Sequence, residues 1–320
     1  MKGFFYLLIF CFSFLSLFSA ERSTSEADKT IDPQNKFAVK LFTEAPLMSL
    51  NVTNGDNELS YDSNAKWASG FSVSYKKFGF SMSKSWWYDK STEKHGKTKT
   101  TDYQLYMFKK HIGVELYFQK MKGVYMDNPG SYDYSSGDAE TIRSDIKTRH
   151  IGTNAYYSFS DNFSLANAFD CQNIIDKSSG SFLLCLGLDY TKISSDSGFI
   201  PSNAEKDFDF ASDVNNVNAV NFYAGAGYAH AFVYKGFFAA VSVIFAAGPS
   251  ITEYNMRDNQ DDFKKVYPVI HYNMKYLLGY NEDSFMMGIY AFWHASMYGK
   301  KNCSMQIDAG KIGFFAGTRF

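Results

Sequence analysis

The sequence has little proline, little cysteine and almost no net charge. Its 320 residues include six Pro and four Cys, and 32 Lys and Arg nearly balance 33 Asp and Glu. A near-neutral chain lacks the basic footprint of a nucleic-acid binder, so we expect no nucleic-acid partner. Beyond residue 20, no apolar run approaches the ~20 residues of a membrane helix. If the chain crosses a membrane after that point, it must cross as β-strands.

The scarce cysteines and histidines also limit the chemistry. Past residue 20, three Cys remain, Cys171, Cys185 and Cys303, and their spacing matches no metal site. Cys171 and Cys185 either form a disulfide across a hairpin or stay unpaired. The six His form no metal-binding motif, and no phosphate-binding or nucleophile-elbow motif occurs. We therefore expect neither a metal nor a cofactor.

Aromatic residues, by contrast, are abundant. They make up 18% of the chain, with 31 Phe and 23 Tyr, while the mean hydropathy is only -0.27. This combination suits a barrel, since half of each strand faces lipid and half faces a polar interior. Residues 1–20 are predicted to be a signal peptide, with an uncleaved anchor as the alternative. Residues 21–35 are predicted to be a disordered lead-in and 36–320 the barrel.

Alternation with a period of two runs through most of the chain. In residues 180–192, Phe182, Leu184, Leu186, Leu188 and Tyr190 are predicted to face outward. About 13 segments qualify as strands, one of them Phe163–Phe169, whereas Asn51–Asn57 is predicted to be a loop. Because such barrels have an even number of strands, we predict a single antiparallel transmembrane β-barrel of 12 strands, within a range of 10–14. A secreted soluble β-sandwich is the alternative fold.

The last ten residues alternate clearly and end on an aromatic residue. Ile312, Phe314 and Phe320 share one face, and Lys311 and Arg319 share the other. This stretch resembles the closing strand of bacterial outer-membrane barrels. The resemblance implies that Phe314 and Phe320 form the signal read by the barrel-assembly machinery. It also implies a location in the bacterial outer membrane, with that membrane's lipids as partners.

Two hairpin segments carry a second resemblance. Ser74–Ser83 (SYKKFGFSMS) and Ser179–Leu184 (SGSFLL) look like hairpins of the domain-of-unknown-function family 4421, a bacterial family of predicted outer-membrane barrels. The resemblance spans roughly residues 36–320. It implies the architecture and the location, but no activity.

The inward positions carry charges of both signs. They are Glu115, Asp189, Lys265, His271, Lys275, Lys311 and Arg319. These residues either form a charged constriction in a channel or fill a closed lumen with ion pairs.

One arrangement suggests catalysis. His294 and Ser296 are two residues apart, so their side chains share a face, as a base and a nucleophile require. The pair resembles the His-x-Ser arrangement of outer-membrane lipid A deacylases, with Asp308 on the next strand as a candidate orienting carboxylate. However, we predict that His294 and Ser296 face inward and that Asp308 faces outward, which argues against this function.

The sequence therefore predicts a non-enzymatic outer-membrane barrel. It is either a narrow pore for small solutes or a structural and surface-interaction protein. The alternative functions are an acyl hydrolase using His294 and Ser296, and a secreted soluble protein. The solute and the surface partner are not specified by the sequence.

Overall fold

The part of the chain that the structure describes is mostly β-strand. The computed structural model describes residues 37–87, 92–109, 111–171, 174–175, 177–208, 212–257, 262–282, 284–300 and 303–320, so the predicted signal peptide and lead-in lie outside the described residues. Thirteen strands follow in order: β1 Phe37–Asn54, β2 Asn57–Asp62, β3 Trp67–Tyr75, β4 Phe78–Trp87, β5 Lys99–Phe108, β6 Ile112–Met126, β7 Ile142–Ser158, β8 Ser179–Ser194, β9 Val214–Tyr234, β10 Phe237–Met256, β11 Phe263–Asn281, β12 Phe285–Lys300 and β13 Cys303–Arg319.

The strands form one closed antiparallel ring. β13 returns to β1, pairing Arg319 with Ala38 and continuing in register to Cys303 opposite Asn54. The first half of β1 also pairs with β3. The full ring therefore contains β1 and β3–β13, which confirms the predicted count of 12. A single ring leaves no second sheet, so the β-sandwich alternative is wrong.

The strand outside this ring, β2, narrows one end of the barrel. β2 folds back on the second half of β1, from Ser49 opposite Asp62 to Asn54 opposite Asn57. It then meets β6, where Tyr61 pairs with Met126. At this end of the barrel the ring contains ten strands, β1, β2 and β6–β13, because β3–β5 do not extend this far. The predicted loop at Asn51–Asn57 is thus a hairpin that turns at Gly55, where φ is +61°.

The two ends of the barrel differ. Tight turns at Lys76–Lys77 and Lys235–Gly236 lie at the end that also holds Phe37 and Phe320, which pair through their backbones. We call this the turn end. The opposite end, the loop end, carries the connections 127–141 and 195–213 with short 3-10 turns at Pro129–Tyr132, Ala139–Thr141 and Ser202–Asp207.

Side chains alternate between the outer surface and the interior. In β8, Phe182 is 69% exposed and its neighbour Leu183 is 1% exposed. In β13, Phe314 is 55% exposed and Phe315 is 8% exposed. The exposed large apolar residues recur on the outer faces around the ring and form the lipid-facing belt of an outer-membrane-type barrel.

An apolar core fills the lumen at the loop end. Leu59 and Tyr61 of β2 pack there with Phe199, Ile200 and Phe208, which the 195–213 connection inserts into the barrel. Each of these five side chains is at most 2% exposed. The connection therefore works as a lid that is held by hydrophobic burial.

A short helix closes the turn end. Leu165–Asp170, the plug helix, begins after Ser164, whose hydroxyl accepts a hydrogen bond from the Asn167 amide. Leu165, Ala166 and Ala168 are buried in a second apolar core inside the barrel. The predicted strand Phe163–Phe169 is therefore wrong. Its apolar residues suit either structure, and the cap together with burial inside the lumen selects the helix.

Two further findings concern membrane helices and cysteines. Within the described ranges, no helix is long and apolar enough to cross a membrane. Cys171 and Cys185 are buried free thiols. They do not form the disulfide that the sequence left open.

Candidate functional site

A cavity of about 250 Å³, lined by apolar side chains together with charged and histidine side chains, lies between the two apolar cores. Residues of β1, β3–β8 and β11–β13 line it, together with the end of the plug helix. The chemically active side chains in its lining are Lys40, Glu44, Asp102, Glu115, His150, His271, Lys275, His294, Ser296 and Lys311. Their arrangement determines whether the cavity can conduct, bind or catalyse.

Lys311 neutralises two carboxylates on one side of the cavity. Its Nζ lies 3.3 Å from Asp102 Oδ2 and 3.5 Å from Glu44 Oε2. Glu44 is 2% exposed and also accepts hydrogen bonds from Ser83 Oγ and Tyr290 Oη, both at 2.6 Å. A buried charge is tolerated when it is paired and hydrogen-bonded in this way. This group crosses from β1 to β13 and β5.

A second ion pair crosses the lumen. Lys275 of β11 donates to Glu115 of β6, although these strands lie far apart in the ring. Glu115 also accepts a hydrogen bond from Tyr156 Oη at 3.0 Å. Glu115 and Lys275 are therefore paired across the interior.

The plug helix is fixed by charge as well as by packing. Asp170, at its last position, pairs with Lys40 of β1 and accepts a hydrogen bond from Tyr106 Oη at 2.7 Å. The next residue, Cys171, adopts a left-handed conformation (φ 52°). This conformation directs its carbonyl toward Arg319, whose Nη2 donates to it at 2.8 Å. Lys40, near the start of the barrel sequence, and Arg319, near its end, thus both hold the plug helix in the lumen.

Three histidines meet in the centre of the cavity. The ring of His294 lies 5.4 Å from that of His150 and 6.3 Å from that of His271, measured between centroids. Asp189 lies beside them, with Oδ1 at 3.5 Å from His150 Nε2 and 2.5 Å from the donor Nδ2 of Asn221. Among the residues that the structure describes, no group of three His, Cys, Asp or Glu side chains is placed to hold a metal ion.

The predicted catalytic group is not assembled. Ser296 hydrogen-bonds His271 Nδ1 at 3.0 Å, and the predicted base His294 packs against the other two histidines instead. Asp308 is turned to the outer side, where it accepts a hydrogen bond from Tyr272 Oη at 3.2 Å. The residues of a hydrolase are therefore divided between the two faces of the barrel wall.

The other predicted inward residues occupy different levels. Glu115, Asp189, His271, Lys275 and Lys311 lie in the central region described above, and Arg319 lies at the plug. Lys265 is exposed near the loop end and stacks on the ring of Phe263 at 5.0 Å. It therefore does not contribute to the central charge network.

Sequence reasoning missed half of the charge network. Lys40 and Glu44 were overlooked, although both sit at inward positions of β1, and so were Asp102, His150 and Asp170. The detectable signal was their place in the period-two alternation, which puts them on the inner face of a strand whose outer face is apolar. A charge at such an inward position needs a partner. The identity of each partner depends on the ring's register.

Comparison with known protein families shows to which family the chain belongs. Residues 31–320 match the family described as Domain of unknown function (DUF4421). The chain belongs to this family. DUF4421 thus covers the whole described barrel, and the resemblance predicted from the two hairpins is confirmed. No curated protein matches the chain.

Three solved structures with a distant likeness to this DUF4421 chain are outer-membrane proteins. The outer membrane protease OmpT from Escherichia coli is 8% identical with a TM-score of 0.36, covering 92% of this chain and 100% of its own. The toluene transporter TodX from P. putida is 7% identical with a TM-score of 0.24, covering 89% of both chains. Ail of Yersinia pestis is 8% identical with a TM-score of 0.22, covering 90% of this chain and 99% of its own. At these values the likenesses carry no functional information.

Proposed function

We propose that the protein is a non-enzymatic barrel of the bacterial outer membrane whose lumen is closed and whose loop end faces the exterior as an interaction surface. One observation carries this proposal. Apolar cores fill the lumen at both ends, and the charges between them are paired across the interior. A conducting pore needs a continuous wet path, which two apolar cores in the lumen would interrupt.

The strand lengths support the orientation. A tilted strand crosses the hydrocarbon layer with ~9–11 residues, but β9, β10 and β11 contain 21, 20 and 19 residues. Their excess lies at the loop end, because the opposite ends meet in tight turns. The loop end therefore projects beyond the lipid belt as a platform.

A cluster of charged and polar side chains stabilises this platform. Arg143 donates from Nε and Nη2 to the two oxygens of Asp145, both at 3.0 Å, and from Nη2 to Ser195 Oγ at 2.7 Å. Burial alone would raise the pKa of Asp145, but the hydrogen bonds from Arg143 and Ser195 hold it well below its usual range. The cluster anchors the connection that carries Phe199 into the lumen, and it thereby holds the lid closed.

A gated pore for small solutes is the second candidate. The observation that favours it is the central cavity itself, whose histidines and ion pairs lie between the plug helix and the lid. An acyl hydrolase is not proposed, because Ser296, His294 and Asp308 do not converge.

Assembly and lipid contacts complete the proposal. Phe314 and Phe320 are exposed on the outer surface of the closing strand, where the barrel-assembly machinery would reach them before the ring closes. The lipids of the outer membrane would then cover the apolar belt.

Cell fractionation combined with protease shaving of intact cells tests the location and the orientation. We expect the protein in the outer-membrane fraction, resistant to extraction by carbonate, with cleavage confined to the connections at the loop end. A tag inserted after Lys77 serves as the matched control and should stay protected. Recovery as soluble periplasmic protein, or cleavage at the Lys77 tag, would contradict the proposal.

A further inference from the structure

One side of the outer surface carries an unusual group of basic residues, directly beyond the apolar belt on β4–β8. We call this group the basic band, and each member occupies an outward position on its strand. Its members are Lys84, Lys99, Lys120, Lys122, Lys147, Arg149 and Lys192.

The sheet register aligns six of these residues in two rows. In the first row, Lys120 of β6 stands opposite Arg149 of β7, and Arg149 stands opposite Lys192 of β8. Neighbouring strands lie ~4.8 Å apart, so this row spans roughly 10 Å. The second row pairs Lys99 with Lys122 and Lys122 with Lys147, about 7 Å further toward the loop end.

The band has almost no counter-charge of its own. Among the described residues, Lys147 is the one member in an ion pair, with Asp196 at 3.4 Å. Asp145, the acidic residue nearest on β7, is bound to Arg143. Like charges directly opposite each other on adjacent strands are destabilising. An external anion would remove this repulsion.

The position of the basic band along the barrel axis indicates the source of that anion. The row of outward residues directly below it is apolar, with Phe118, Ile151 and Tyr190 in register with each other. The basic rows therefore begin where the lipid belt ends, at the level of the lipid head groups on the loop-end side.

The rest of the ring lacks such a band. On the outer faces of β9–β13 and β1, Lys264 is the one Lys or Arg among the described side chains, and Glu253 neutralises it at 3.2 Å. The residue that continues the first row into β9 is Asn218. The positive charge is thus restricted to one sector and is not a general feature of the rim.

We propose that the basic band binds the phosphorylated head groups of lipids in the surrounding outer leaflet. The proposal rests on the outer-membrane location proposed above. Phosphate oxygens suit this surface because Arg149 can bind them in a bidentate manner, while the flanking lysines add mobile point charges. Two head-group phosphates separated by about the width of the first row would each find a cation.

Native mass spectrometry of the refolded mature protein in detergent provides the test. The probes are a purified bisphosphorylated disaccharide lipid and the same lipid after dephosphorylation. We expect the phosphorylated probe to bind at least about tenfold more tightly, and the variant Lys120→Gln/Arg149→Gln/Lys192→Gln to lose about tenfold or more in affinity for it. The control Lys76→Gln/Lys77→Gln/Lys235→Gln removes the same charge at the turn end and should bind like the wild type.

Several results would overturn the inference. Equal binding of the two probes, or equal binding by the band variant and the wild type, would exclude phosphate recognition by the band. Displacement of the lipid by millimolar inorganic phosphate would show a site for the free anion instead. Each protein is first checked for the heat-dependent gel shift of a folded barrel. A chain that folds but shows no phosphate preference refutes the inference alone, whereas a chain that does not enter membranes refutes the proposed function.

Discussion

Ser296 forms its 3.0 Å hydrogen bond with His271, which lies directly opposite on the adjacent strand. The partner is not His294, which lies two residues earlier on the same strand. Directly opposed residues in an antiparallel sheet have Cβ atoms ~4.5–5.5 Å apart. Side chains at i and i+2 on one strand are separated by about 7 Å. The register of β11 and β12 therefore pairs Ser296 with His271, and it places His294 opposite Asn273.

The first prediction concerns hydrolysis. Because Ser296 has no assembled triad, the wild type and Ser296→Ala should release fatty acid from ester and lipid A substrates at the same background rate. A true nucleophile would lose several orders of magnitude on this change. The variant should instead lose about 1–3 kcal/mol of stability, since His271 would be left without its buried partner. A Ser296-dependent rate would contradict the non-enzymatic account.

The second prediction concerns the plug helix. Lys40→Met leaves the buried carboxylate of Asp170 without its cation, at a cost of about 3–5 kcal/mol. The helix should then leave the lumen more often, and the buried thiol of Cys171 should react with a maleimide. The measurement is the labelling rate in a chain whose other cysteines are serine. Asp196→Asn, which breaks an exposed pair, is the control. Unchanged protection of Cys171 in Lys40→Met would refute this role.

The third prediction concerns the central charge network. Lys311→Met leaves Glu44 and Asp102 buried without their shared cation. We expect a loss of about 3–5 kcal/mol in the free energy of unfolding, measured by urea titration in lipid vesicles. Lys264→Met, which breaks the exposed pair with Glu253, should cost less than about 1 kcal/mol. Equal losses in the two variants would mean that the network does not support the barrel.

The fourth prediction concerns pH at the loop end. Burial, together with the nearby carboxylate of Asp127, raises the pKa of Asp62 to about 6. A carboxyl whose pKa is raised on folding stabilises the folded state below its unfolded pKa, ~3.9, and loses this contribution as the pH rises through 6. The pairing of β2 with β6 should therefore loosen from pH 4 to pH 6.

Hydrogen exchange of the β2 amides, corrected for the intrinsic pH dependence, measures this loosening. Asp62→Asn cannot ionise, so its protection should change less over the same pH interval. Asp56→Asn, an exposed residue of the adjacent turn, is the control and should follow the wild type. If Asp62→Asn keeps the wild-type pH dependence, Asp62 is not the responsible group.

The barrel was predictable from the sequence because its main signal is local. The alternation of Phe182 and Leu184 with Leu183 and Cys185 fixes both the strand and its outward face. The strand β2 and the plug helix were not predictable, since each exists through contacts made far away in sequence. Tyr61 of β2 donates to the Phe199 carbonyl at 2.5 Å, and Asp170 ends the plug helix beside Lys40.

The site was predictable only as a set of inward positions. Parity placed Glu115 and Lys275 on the inner side of the wall, but it could not reveal that they meet across the lumen. That contact depends on ring closure and on the circumference of the barrel. The hydrogen bond between Ser296 and His271 likewise depends on the register of two strands, which no spacing within one strand encodes.

Single-channel recording of the refolded mature protein in a planar bilayer tests the closed lumen most directly. We predict that inserted wild-type protein gives no discrete conductance steps, and that a variant lacking residues 165–170 is also silent because the loop-end core still fills the lumen. Insertion is verified in both cases by the heat-dependent gel shift. Reproducible steps from the intact wild-type barrel would contradict the account and establish an open pore.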